Sequence, residues 1–195
     1  IDWVMRTQGL TFREAVVHLQ ERAGSSRSTA PAERRPAPAL AARPANPDLL
    51  SRVLVHYRSR YAASTEAKGY AAARGIGLDE AAERFAYGYA DGSLVETLGR
   101  EHFPELVRLG VVNARTNREH LAGCLVLPIV DASGKVLNLY GRRLVDVAGS
   151  PRHLYLPGPR RGVFNVEALS TSQELILCEA LIDALTFWCH GFRHV

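Results

Sequence analysis

The segment Glu174-Leu175-Ile176-Leu177-Cys178-Glu179-Ala180-Leu181-Ile182-Asp183-Ala184-Leu185 limits the fold more than any other part of the chain. Its first apolar run reads as a short buried strand that stops on an acid. A helix follows, carrying a second acid four residues on. In an α/β sheet, ligands collect outside the carboxyl ends of the strands. Glu179 would then project into the crevice, with Asp183 one turn into the helix on a nearby face. A carboxylate pair placed there suits Mg²⁺ and the phosphates it carries. The plainer alternative is that acids opening a helix favour its N-terminal dipole and do nothing else.

Three stretches upstream differ in composition. Between Ile1 and Gly24, Phe12, Ala15, Val16, Leu19 and Ala23 recur at helical spacing, Thr11 and Glu14 form a capping box, and Gly24 marks the stop. From Ser25 to Pro47 lie five of the ten prolines with many Ala, Ser and Arg residues and no aromatics, a mixture unable to bury enough apolar surface to order itself. Its arginines, Arg27, Arg34, Arg35 and Arg43, read either as solvated linker charge or as phosphate contacts.

Asp48 to Leu109 reads as helical. Leu49, Leu50, Val53, Leu54 and Tyr57 line one face, Gly75 punctuates, Leu78 to Phe85 resumes, and Ser93 with Glu96 caps a further helix. Cys124–Val130 and Val136–Arg142 are β-like runs around Asp131-Ala132-Ser133-Gly134-Lys135, which predicts a hairpin. Pro128 confines its strand to an edge or a bulge.

The most basic stretch comes next. Arg142, Arg143, Arg152, His153, Arg160 and Arg161 fall where the only acid is Asp146, and Gly149, Pro151, Pro157, Gly158 and Pro159 keep the backbone irregular. Arginine forks bind phosphate oxygens bidentately, and Tyr140 and Tyr155 offer stacking faces for single-stranded bases. The alternative is an exposed loop whose arginines pair with nearby acids.

A net charge of +4 and a pI near 9.2 suit a surface attractive to phosphate, without fixing the fold. Cys124, Cys178 and Cys189 are widely spaced and write neither a disulfide framework nor a zinc site, which points to core thiols in a reducing, cytoplasmic compartment. No apolar run reaches the roughly 20 residues that span a bilayer, so no membrane partner is expected. His18, His56, His102 and His120 lack ligand spacing, and Trp3 and Trp188 sit in apolar runs. The first residue is Ile1 and the last strand breaks off at Val195, so the chain reads as cut at both ends.

Several motifs resemble the bacterial-type (DnaG-like) DNA primases. Glu179, Ala180 and Asp183, with His190 to Val195, resemble the first strand-helix-strand of that family's TOPRIM fold, with alanine in place of its glycine. Gly9 to Val16 is similar to the helix closing its N-terminal zinc domain. Tyr70 to Ile76 and Phe85 to Ala90 are similar to the helical start of its polymerase core. Leu125 to Ile129, Asp131, Gly134 and Tyr140 to Arg143 resemble the strand pair leading to its basic groove. Pro151 to Pro157 and Arg161 to Ala168 resemble the loop carrying its template and nucleotide contacts. Departures are Cys124 for a basic residue, Tyr140 for a second glycine, Tyr155 and Leu156 for asparagine and serine, and Arg152 for lysine. They suggest a divergent member, of mobile-element or phage type.

The resemblance implies an α+β / α/β polymerase core: a mainly helical and β-hairpin subdomain leading into a TOPRIM α/β subdomain. The implied domains are the end of a zinc-binding domain at 1–24, a linker at 25–47, the core subdomain at 48–170 and the start of TOPRIM at 171–195. The implied activity is synthesis of short RNA primers on single-stranded DNA during replication. Glu179 would hold Mg²⁺ or Mn²⁺, Asp183 would support that acidic cluster, and Arg142, Arg143, Arg152, His153, Arg160 and Arg161 would hold nucleic acid and triphosphate. Structural Zn²⁺ would be bound by ligands upstream of Ile1, and the acids completing the metal site would lie after Val195. The fragment alone would then be inactive. Implied partners are the DNA template, the RNA primer, nucleoside triphosphates and a replicative helicase. Two other readings stay open: another TOPRIM enzyme of nuclease or topoisomerase type, and a non-catalytic single-strand binder.

Overall fold

The computed structural model describes residues 7–10, 14, 18 and 47–195. The expected helix at 1–24 lies outside the described residues apart from these few positions, as does the linker up to residue 46. Residues 47–195 belong to one compact unit.

Helix α1 (Pro47–Ala63) opens on a proline, whose fixed φ and missing N–H suit a first helical position. It buries Leu49, Leu50, Val53, Tyr57 and Tyr61, a stripe at helical spacing, much as the sequence predicts. Ser64 caps α2 (Thr65–Ala73), its Oγ accepting from Ala67 N–H at 3.1 Å. Gly75, at φ +70°, turns the chain out of α2 toward α3 (Asp79–Arg84). Then come strand β1 (Gly88–Ala90), helix α4 (Leu94–Leu98), a 3₁₀ turn (Arg100–His102) and helix α5 (Phe103–Arg108).

The hairpin forms where expected, with β2 (Cys124–Val130) paired antiparallel to β3 (Val136–Arg143). Asp131 Oδ1 organises its turn, accepting from Ser133 N–H at 2.9 Å and Lys135 N–H at 3.1 Å. Gly134 supplies the positive φ the turn requires. Strand β4 (His153–Tyr155) joins β3, giving one antiparallel sheet of order β1-β2-β3-β4. Short helix α6 (Ala168–Thr171) and helix α7 (Leu181–Cys189) complete the described elements.

Both faces of the sheet are covered, which explains why β2 reads as a continuous apolar run rather than an alternating one. Cys124, Val126 and Leu139 face a core built with α1, α4 and α5. Leu125, Leu127 and Tyr140 face a second core built with α2, Phe85, Tyr87 and α7. At Gly88 the strand passes so close to α1 that an added Cβ would lie 2.7 Å from Tyr57 Cβ.

Several expectations are corrected. Residues 88–90 and 153–155 are strands inside stretches read as helical and irregular. β2 is a central strand, not an edge. Pro128 is tolerated because β1 pairs only as far as Val126, and because Leu139, its partner across β3, turns its carbonyl to Leu156 N–H at 3.1 Å. The bulge falls one step later, between Ile129 and Val130. Ser93 precedes α4 but makes no side-chain cap bond; its hydroxyl donates to Asp91 at 2.6 Å. Glu119 serves instead, accepting Leu94 N–H at 2.8 Å. Residues 174–178 form no strand. The run is largely exposed, with Leu177 98% accessible, and Ile176 N–H donates to His194 C=O at 2.9 Å. A strand needs a ladder of such bonds, and one does not make it.

Candidate nucleic-acid and metal site

The two acids flank the start of α7. Ala180 is its N-cap in extended conformation, φ −115°, and its carbonyl accepts from both Asp183 and Ala184 N–H. Because that φ is negative, the position does not call for glycine and alanine fits it without strain. Glu179 precedes the cap and Asp183 lies in the first turn, both exposed, the latter near the positive end of the helix dipole. Asp183 acts on the sheet: its charge favours protonated His153 and disfavours ionised Tyr140, and it does the same to Cys178 in the segment before α7. Helix α7 therefore brings its acid to the ends of β3 and β4.

There the basic residues divide. Arg142 is only 4% exposed. Its Nε donates to Tyr70 Oη at 3.0 Å and its Nη1 to His153 Nε2 at 3.0 Å. His153 Nδ1 stands 2.6 Å from Tyr140 Oη. Burial and then the Arg142 charge hold His153 below the usual imidazole range, against the pull of Asp183. Arg143 is half-buried and braces the strand ends, donating from Nε to Pro151 C=O at 3.2 Å. Arg152 pairs with Asp146 at 2.6 Å, on the surface. Arg160 covers the Tyr155 ring with its guanidinium 4.5 Å from the centroid, a cation–π contact. Arg161 is exposed.

The stacking role expected of Tyr140 does not survive, since that side chain is 1% exposed in the core between β3 and α7. Tyr155 already carries Arg160 on one face and Tyr140 at its edge, 5.2 Å between centroids. Two residues escape the sequence reading. Tyr70 holds Arg142 from α2, and Arg74, over the Tyr70 ring at 5.3 Å, adds its charge to the surroundings of His153. Their four-residue spacing ahead of Gly75 is the signal that could have found them.

Among the described residues no three His, Cys, Asp or Glu side chains cluster in a way that could hold a metal. Cys124 is buried, its thiol pushed up to about 11 by desolvation, and all three cysteines are free. They do not fit a zinc site. Glu179 and Asp183 offer hard oxygen donors in an exposed position and fit part of a Mg²⁺ site, which needs further ligands from water, phosphate or other acids.

Over 163 residues the chain is 31% identical to a DNA primase of Aquifex aeolicus, covering 75% of this chain and 32% of that protein. The solved zinc-binding and RNA polymerase domains of the Aquifex aeolicus primase superpose on 99% of the chain and 49% of theirs, with TM-score 0.65 and 24% identity. The fold is that of the DnaG primase core. A DnaG primase catalytic domain solved bound to single-stranded DNA matches over 76% of this chain and 53% of its own, with TM-score 0.64 and 22% identity. No protein-family profile matches the chain. It spans about a third of the length of the curated relative. The primase resemblance read from the sequence is thus borne out, and the class is α+β, helices with an antiparallel sheet. No described helix is long and apolar enough to cross a membrane.

Proposed function

We propose that the protein carrying this chain is a DNA primase that joins ribonucleotides into short primers on single-stranded DNA. The observation that carries the reading is that, in a primase-core fold, Asp183 in the first turn of α7 acts electrostatically on His153 and Tyr140 at the basic ends of β3 and β4, with Glu179 just ahead of that helix. In this reading residues 48–170 are the core subdomain, 171–195 open the TOPRIM domain, 25–47 are a linker and 1–24 close a zinc-binding domain. Any structural zinc is held by residues other than those described.

Glu179 would hold Mg²⁺, with Asp183 beside it keeping the local field negative. The ion, when bound, neutralises and orients the attacking and leaving oxygens of phosphoryl transfer. The chain's own residues then have separate tasks. Arg152, Arg160 and Arg161, exposed on the β4 side, would track the backbone of the template or the triphosphate, each neutralising a phosphate. Arg143 ties the β3 end to Pro151 and so fixes the loop that carries Arg152. Arg142 would meet a phosphate as a fixed fork rather than a mobile chain. Nucleoside triphosphates are the second substrate, a replicative helicase is the expected partner, and the cytoplasm is the expected compartment.

The test is Mg²⁺-dependent incorporation of labelled ribonucleotides on unprimed single-stranded DNA by the full-length gene product. The reading predicts short RNA products that vanish with chelator. Single-strand binding without any synthesis would favour a non-catalytic binding module, and cleavage of the DNA would favour a TOPRIM nuclease.

A further inference from the structure

Arg142 presents an incomplete charge balance. The guanidinium is always ionised and is buried to within 4% of its surface, yet the two partners it donates to, Tyr70 Oη and His153 Nε2, are uncharged. Among the described residues no carboxylate forms an ion pair with it. Buried charges are ordinarily paired. A cation held this way is prepared for an anion that arrives from outside.

The cradle that holds it is specific in its protons. Arginine only donates, so Nε2 of His153 must be bare and the proton of the neutral ring sits on Nδ1, facing Tyr140 Oη at 2.6 Å. Tyr140 is 1% exposed and packs in the core against α7, with its hydroxyl turned to His153. Building on the primase reading above, we infer that Tyr140 and His153 are positioning residues: they lock the imidazole in the one tautomer that accepts from Arg142, and so fix the guanidinium for a phosphate group. Tyr140 stands at the position where the sequence resemblance expects glycine, which has no side chain to make this bond.

The surroundings agree with a neutral ring. His153 faces Arg142 and Tyr140 of β3, Arg74 at the end of α2, Arg152 next to it in the chain, and Asp183 of α7. Three cations against one acid, together with burial, keep the second proton off. Were it added, an N–H would confront the N–H of Arg142 and the lock would open.

The experiment measures affinity of the full-length protein for a fluorescent oligothymidylate and, separately, for a fluorescent ribonucleoside triphosphate. Tyr140→Phe removes only the acceptor for Nδ1–H, and weakens binding by about threefold to tenfold, the factor carried by one lost hydrogen bond at a part-buried site. The probe whose affinity drops identifies whose phosphate Arg142 meets. His153→Phe weakens binding likewise. His153→Gln retains it, since the amide oxygen accepts from Arg142 and the amide nitrogen donates to Tyr140, and it removes the pH dependence. In the wild type, affinity falls on acidification below the usual imidazole range, where His153 takes its second proton, opposite to the general gain of positive charge at low pH. Unaltered binding of both probes by Tyr140→Phe while the wild type binds would overturn this inference alone. Wild-type protein that binds neither probe overturns the primase reading and the phosphate role of Arg142 with it. Nitrogen NMR of the His153 ring in the free protein is independent of both: the Nδ1–H tautomer is expected, and the Nε2–H tautomer would refute the lock whatever the probes do.

Discussion

Glu119 is a buried carboxylate, 6% exposed, whose Oε1 accepts the Leu94 N–H at 2.8 Å and so caps α4. Its Oε2 and Tyr57 Oη, buried beside one another, lack partners of hydrogen-bond geometry. Burial pushes this carboxyl up from its usual range, only partly offset by the Leu94 N–H. A raised acid stabilises the fold fully below the ordinary carboxyl range and loses that contribution as pH climbs toward neutral. Replacing it separates the two roles. Glu119→Gln keeps the acceptor for Leu94 and gives Tyr57 Oη a donor, so at neutral pH it should stabilise, by up to about 1 kcal/mol. Glu119→Ala strands the Leu94 N–H and should cost about 2 kcal/mol, at roughly 2–4 °C in Tm for each kcal/mol in a unit of this length. Urea titrations of the three proteins at mild acid and at neutral pH would measure this. The advantage of Glu119→Gln over wild type should grow with pH. Glutamine as damaging as alanine at neutral pH, or an advantage that shrinks with pH, would refute the reasoning.

The same geometry sets three further outcomes. Gly88→Ala should destabilise by about 1–3 kcal/mol in a thermal melt, the usual cost of overpacking, because its Cβ would meet Tyr57 Cβ at 2.7 Å. Asp91 has its carboxyl held low, since bonds from Ser93 and Arg60 outweigh the burial that pushes it up; its contribution is present above the ordinary carboxyl range and lost as pH falls, so Asp91→Asn should flatten the acid limb of stability. Arg152→Ala, Arg160→Ala and Arg161→Ala combined should reduce the salt slope of single-strand binding by about one for every phosphate these arginines neutralise, and an unchanged slope would remove these residues from the interface.

The hairpin is legible in the sequence because two apolar runs enclose a turn with its own chemistry, an Asp131 that bonds Ser133 and Lys135 and a Gly134 at positive φ. The stripe of α1 is legible for the same local reason. Strands β1 and β4 are not: each has three residues, too few for an alternation, and each exists because a longer strand lies beside it. The acids at the head of α7 are readable from order alone. The state of Arg142 is not, since its fixing partner Tyr70 is 72 residues away. Tyr140 reads as a stacking surface only until α7 covers it, because that packing decides which face of β3 points inward.

The most direct test of the central claim is the rate of the first dinucleotide bond formed on single-stranded DNA with Mg²⁺ by Glu179→Gln, beside the wild type and with DNA affinity measured in the same samples. If Glu179 holds the ion, the rate falls at least about a hundredfold, the several kcal/mol that metal-stabilised charge contributes, while DNA affinity stays unchanged. A Glu179→Gln protein that forms the bond at the wild-type rate would contradict the account.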